Sequence, residues 1–230
     1  MYGKSEYSKL IKDLLSKGFK FNQFLSPSDQ YTIYLRHDID FSINDALEIA
    51  LLERDMGIKA NYFFMLTSNF YNCFSYENFN LIKRISNFGH SISLHFDPSC
   101  YQNQEEGYQI EKAIFESKFN LNIKIISLHR PGKFLNSNNT KIGKCYHTYE
   151  DKFFKEMTYY SDSGGKDIRK IISQLYPIKE SKPIHLLLHP IWWTQKNKNP
   201  TKRLESFLKS NMKFLEMETQ KNCKSYKNNS

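Results

Sequence analysis

The sequence predicts an α/β barrel of seven strands, on three observations. Short β-branched and aromatic runs alternate with amphipathic helical runs from Tyr31 onward, the pattern of a parallel sheet with crossover helices. Seven such strands in 230 residues favour a closed sheet over an open one. Side chains able to do chemistry gather where the strands end, and in such barrels the carboxyl ends of the strands carry the site.

Taken in order, residues 5–17 read as a helix, with Tyr7, Leu10, Ile11, Leu14 and Leu15 on one face and Gly18 as its stop. Residues 31–40 (Tyr-Thr-Ile-Tyr-Leu-Arg-His-Asp-Ile-Asp) form the first strand. Ser42 and Asp45 make a capping-box pattern ahead of a helix carrying Ala46, Leu47, Ala50, Leu51 and Arg54, closed by Gly57. Residues 60–66 are the second strand, which completes a unit of βαβ size. A helix at 75–88, a strand at 90–97, a helix at 104–119 and a strand at 123–129 follow. Residues 136–140 read as a polar loop, 142–148 and 157–161 as weaker strands, 166–175 as a helix and 183–189 as the last strand. Pro200 opens a final helix to about Glu218, in the first turn where proline fits. One domain over residues 1–218 is expected, with a disordered basic tail at 219–230 that holds Lys221, Lys224 and Lys227.

Composition excludes several classes. No run of 18 apolar residues exists to span a membrane, and the first residues show no signal-peptide core, so a cytoplasmic protein is expected. The four cysteines are scattered without a C-x-x-C pair, as in ordinary reduced thiols. A net charge of +9 would suit nucleic acid, but the lysines are spread along the chain and no recognition module is present.

The strand ends are the informative part. Arg36, His37, Asp38 and Asp40 crowd the end of the first strand, and alternation points Asp38 and Asp40 the same way. Two close carboxylates repel unless a cation lies between them or one is protonated. On the 90–97 strand Ser91, Ser93, His95 and Asp97 share a face opposite Ile92, Leu94 and Phe96; on the next, Ser127 and His129 share one. His95 and His129 then converge with Asp40, and two imidazoles with a carboxylate form a ligand set used by zinc, cobalt or iron. Asp162, His189 and Arg130 also lie at strand ends, and His37 is counted with them. A histidine in a buried polar network is the competing account of each one singly.

These residues resemble a family. Arg36 to Asp40, the Gly89-to-His95 run, Arg130-Pro131, Ser161 to Gly164 and Leu186 to His189 are similar to the motifs of the polysaccharide deacetylases, the NodB-homology carbohydrate esterases. The likeness spans residues 31–193 and implies an irregular (β/α)7 barrel that removes N-acyl, above all N-acetyl, groups from sugars with a divalent metal, zinc first. It implies Asp38 as base, Asp40 and His95 as metal ligands, Arg130 as the cation that steadies Asp38, and Asp162 orienting His189, the acid. The family's second metal histidine falls at Ser99, and the aspartates are split by Ile39, so the chain looks like a divergent cytoplasmic branch linked to surface-polysaccharide or lipopolysaccharide synthesis. His129 as replacement ligand rests on strand alternation alone.

Trp192 and Trp193 are either a sugar-stacking wall or packing for the last strand. Gly164-Gly165 is either a phosphate cradle, which would suit a nucleotide- or lipid-linked sugar, or a turn. Two other functions compete: an amidase or deformylase acting on another small molecule, and a catalytically silent saccharide-binding barrel.

Overall fold

The computed structural model describes residues 3–132, 142–195, 197 and 199–227. The polar loop expected at 136–140 lies outside the described residues. The strands are β1 (Lys20–Asn22), β2 (Thr32–Ile39), β3 (Asn61–Phe64), β4 (Ser91–Phe96), β5 (Ile125–Leu128), β6 (Tyr146–His147), β7 (Thr158–Ser161) and β8 (Ile184–Leu187). The helices are α1 (Lys4–Ser16), α2 (Ile43–Asp55), α3 (Tyr76–Asn87), α4 (Gln104–Phe119), α5 (Asp151–Phe154), α6 (Arg169–Ile172), α7 (Ile191–Thr194) and α8 (Pro200–Asn222). All seven expected strands are present and pair in parallel in the order β6-β5-β4-β3-β2-β8-β7. The extra strand β1 pairs with the first half of β2; three residues are too few to show a period in sequence.

The sheet curls into a half-barrel. Tyr149, just past the edge strand β6, lays its ring 4.8 Å from the Arg36 guanidinium on β2, which β5, β4 and β3 separate from β6 in the sheet. Among the described residues β6 and β7 do not pair. Side chains span the gap: Tyr149 meets Phe154 of α5, and Phe154 meets Tyr159 of β7, at ring separations of 5.5 and 4.8 Å.

Strand alternation sorts the side chains into two layers. Ile33, Leu35 and Ile39, Tyr62 and Phe64, Leu94 and Phe96, and Leu186 and Leu188 point outward and pack with helix residues such as Leu10, Leu14, Ala46 and Ile85 in the main apolar core. The inward face begins with a smaller apolar plug of Phe24, Tyr34, Phe63, Ile125, Phe153 and Met157. Next along the strands come Arg36, Asp38, Ser93, His95 and Ser127, all buried. An open cavity follows at the carboxyl ends.

Local signals explain the element ends. The Ser42 hydroxyl accepts the Asp45 N–H at 3.1 Å, as the capping pattern predicts, and Asn103 caps α4 in the same way. The helix expected at 166–175 shrinks to α6. The last helix runs past Glu218 to Asn222, beyond the expected start of the basic tail. Only Arg203 and Phe207 of α8 are buried. The four cysteines form no disulfide. No helix among the described residues is long and apolar enough to cross a membrane.

Candidate active site

The cavity encloses about 810 Å³, within the range of small-molecule sites. Asp38, Asp40, His95, Asp97, His129, Arg130, His189 and Trp192 all line it. Residues from β2, β4, β5 and β8 therefore meet here, as the strand-end pattern predicts.

Asp40, His95 and His129 bring one ligand atom each within 4.8 Å of the others. His95 Nε2 stands 3.1 Å from Asp40 Oδ1 and 3.1 Å from His129 Nδ1, and His129 Nδ1 is 3.6 Å from Asp40 Oδ1. Two ligands about 2.0–2.1 Å from a tetrahedral ion stand roughly 3.3 Å apart, so these spacings suit a shared cation. A second observation agrees: Asp40 Oδ1 is buried yet accepts no well-aligned hydrogen bond. Such an oxygen costs free energy unless something meets it. Burial opposes the charge on Asp40, but the His129 and His95 imidazoles outweigh it and hold the carboxyl well below the usual range.

The two candidate imidazole ligands have partners behind them. His95 Nδ1 lies 2.6 Å from Ser127 Oγ, its register partner on β5, which leaves Nε2 open toward Asp40 and His129, where it could hold a cation. His129 Nε2 is 4.0 Å from Asp97 Oδ2, while Asp97 Oδ1 accepts the Ser99 N–H and hydroxyl at 2.9 and 2.6 Å. Ser99, where the resemblance has a metal histidine, thus anchors a carboxylate.

Asp38 is gripped from its own strand. Arg36 Nε and Nη2 donate to the two Asp38 oxygens at 2.8 and 2.7 Å, a bidentate pair with both residues buried. Burial works against the Asp38 charge, yet the guanidinium draws its pKa down to about 2. This corrects the partner expected from the resemblance: residues two apart on a strand share a face, so Arg36 reaches Asp38 directly. Arg130, by contrast, is an exposed residue of the cavity wall.

At the opposite wall Asp162 and His189 form a dyad. His189 Nδ1 donates to Asp162 Oδ1 at 2.6 Å, and the His189 backbone N–H points at both carboxylate oxygens at 3.0 and 3.1 Å. Burial alone would lower the His189 pKa; Asp162 reverses that and raises it to about 9. His189 Nε2 then faces the centre, 3.8 Å from Asp40 Oδ2.

Trp193 is no sugar wall, because it is buried and its indole N–H donates to Asp162 Oδ2 at 2.7 Å. Trp192 does line the cavity, but it is 7% exposed and sits within the core, so packing is its main role. Of the two accounts of Gly164-Gly165 the turn holds: the Gly165 and Lys166 N–H groups go to the Asp162 carbonyl, and no helix begins at Lys166. His37 leaves the site altogether: alternation turns it outward, onto Glu53.

The curled parallel sheet with a His-carboxylate cluster at its carboxyl ends defines the class, an α/β half-barrel with a polar cavity at the ends of its strands. No family model and no curated protein matches the chain. Among solved structures it is similar to the chitin deacetylase of the fungal pathogen Colletotrichum lindemuthianum, at 16% identity over 78% of this chain and 81% of that one, with a TM-score of 0.45. It is similar as well to BA3943, a CE4 family pseudoenzyme from Bacillus anthracis, at 11% identity over 79% and 60% of the two chains with a TM-score of 0.44. The Bc1960 peptidoglycan N-acetylglucosamine deacetylase matches at 15% identity over 89% and 91%, with a TM-score of 0.42. Likeness this distant carries no argument about the chemistry of this chain, which rests on its own residues.

Proposed function

We propose that the protein is a metal-dependent hydrolase that removes an N-acyl group, in the first place N-acetyl, from a sugar. The carrying observation is that Asp40, His95 and His129 aim one ligand atom each at a common point, beside the Arg36-held Asp38 and the Asp162–His189 dyad, in one cavity. A divalent cation held by Asp40, His95 and His129, zinc before cobalt or iron, would polarise the amide carbonyl and acidify a water.

The chain's own groups do the rest. Asp38, ionised across the neutral range by Arg36, takes the proton of the attacking water as general base. Asp162 keeps the His189 imidazole protonated and fixes its tautomer, so that His189 Nε2–H faces the reacting centre. His189 gives that proton to the departing amine nitrogen, without which a neutral amine could not leave. Thr67, which lines the cavity, has a hydroxyl that meets no partner among the described residues.

The substrate fitting this reading is an acetylated sugar, nucleotide- or lipid-linked, in cytoplasmic surface-polysaccharide or lipopolysaccharide synthesis. The test is acetate release from a panel of acetylated sugars, with metal content measured on the same preparation. Release that depends on a stoichiometric divalent ion is expected. Saccharide binding without any release would make the protein a silent barrel and end the hydrolase reading.

A further inference from the structure

Arg36 meets the demand of Asp38 for a cation, and so leaves Arg130 without that task. Arg130 is exposed, and its guanidinium makes no hydrogen bond or ion pair with a described residue. Its backbone stands at φ 44°, in the left-handed region, although a residue that precedes proline, here Pro131, prefers extended angles. Backbone strain of this kind persists where the surrounding structure imposes it, often at ligand clamps. In a chain with 33 lysines and arginines, Arg130 is the one such residue among the described residues that line the cavity.

The charge layout of the cavity then has a direction. Asp38, Asp40 and Asp97 line it together with His95, His129 and His189, and Arg130 supplies an exposed fixed positive charge. A carboxylate-rich floor disfavours an anion, whereas a free guanidinium fork matches the two oxygens of a phosphoryl or carboxylate group. The volume also exceeds what the reacting acylamino group alone would fill.

We propose that Arg130 is the anion anchor of this cavity: the acylated sugar carries an oxyanion, phosphoryl or carboxylate, and the Arg130 guanidinium receives it while the acylamino group lies over the Asp40–His95–His129 floor. The proposal rests on the sugar reading of the site and deepens it. It makes Arg130 a substrate-binding residue and a determinant of specificity, with no part in holding Asp38.

The experiment is titration calorimetry of the full chain against four probes: uridine-diphosphate N-acetylglucosamine, N-acetylglucosamine 1-phosphate, a hyaluronan tetrasaccharide and neutral di-N-acetylchitobiose. The two phosphorylated probes and the uronate probe separate the two sources of oxyanion. At least one anionic probe should bind the wild type about 10- to 100-fold more tightly than the neutral one, the range of a charge-assisted hydrogen bond. Arg130→Ala should erase that preference while the neutral affinity stays put. Arg130→Lys should keep only part of it, because a point charge replaces the fork.

Absence of any anionic preference in the wild type overturns the proposal, and so does a preference that survives Arg130→Ala. Equal losses for neutral and charged probes would make Arg130 a structural residue and overturn it too. Acetate release from the same probes is scored separately. A protein that binds anionic sugars through Arg130 and releases nothing fails as a hydrolase and keeps its anchor.

Discussion

Strand β2 carries two clusters of histidine and carboxylate on its two faces, and they behave differently. The inward cluster, with Asp38, Asp40, His95, His129 and His189, opens into a cavity, and among the described residues Asp40 Oδ1 accepts no well-aligned hydrogen bond. The outward cluster centres on Glu53 of α2, which accepts from the Tyr7 hydroxyl of α1, from His37 Nε2 at 2.7 Å and from the Tyr62 hydroxyl at 2.6 Å. His37 Nδ1 donates to the Leu188 carbonyl at 2.7 Å, and His90 Nε2 lies 3.2 Å from the Ala50 carbonyl. Among the described residues, every buried polar side-chain atom of that outer group has a partner. Burial opposes the charge on Glu53, and His37, with His90 and the Tyr62 hydroxyl, still holds its pKa below the usual range. Similar residues thus make a saturated network where helices seal them in, and a candidate ligand set where they face a cavity with one acceptor unmet. Histidine and carboxylate content alone does not mark a candidate metal site; an unmet acceptor in reach of two imidazoles does.

The sharpest way to break this comparison is to remove one ligand from each side. Asp40→Ala and His95→Ala should each strip the divalent ion from the purified protein, measured by plasma mass spectrometry, and abolish acetate release. Glu53→Gln should keep the ion while lowering stability by about 3–5 kcal/mol in denaturant titration, the cost of breaking a buried charge pair. A Glu53→Gln protein that loses metal, or an Asp40→Ala protein that keeps it, would invert the two roles.

Within the inner cluster the next effect separates base from ligand. Asp38→Ala should lower kcat by about 100- to 10,000-fold with metal content unchanged. Parallel loss of metal would recast Asp38 as a ligand. Ser127→Ala comes next, since it touches the ion only through His95. Metal affinity should fall about 10- to 100-fold, read by competition with a chelator. No change there would mean that packing alone orients the ring.

Much of this was legible in the sequence, through strand alternation. The rule that puts Asp38 and Asp40 on one face also puts His95 with Ser93 and His129 with Ser127, and the structure keeps all of these together. The same rule places Arg36 beside Asp38 and turns His37 away, so both are legible in principle; the assignment of the cation to Arg130 comes from the resemblance instead. Trp193 is different in kind. That its indole serves Asp162 depends on how α7 brings Trp193 to the loop after β7, which no local pattern carries. The same holds for Glu53, an acidic residue on a helix whose burial depends on Tyr7 and Tyr62 arriving from separate elements.

The smallest expected effect concerns proton linkage, and it sharpens the contrast because only the inner wall should show it. His189 has a folded pKa raised to about 9 from an ordinary 6.5. A cationic group raised in this way stabilises the fold fully below its unfolded pKa and loses that contribution as pH climbs through the folded value. Between pH 6 and 9.5, in the presence of chelator, the wild type should therefore lose up to about 3 kcal/mol of unfolding free energy from this group. Asp162→Asn removes the charge that raises the pKa, so most of this alkaline loss should vanish, whereas Glu53→Gln should leave it in place. The alkaline limb of acetate release should move with it, toward neutral pH in Asp162→Asn, because His189 would then lose its proton earlier. Equal pH slopes in the wild type and Asp162→Asn would show that Asp162 positions His189 without tuning it, and would leave the amine's proton to come from elsewhere.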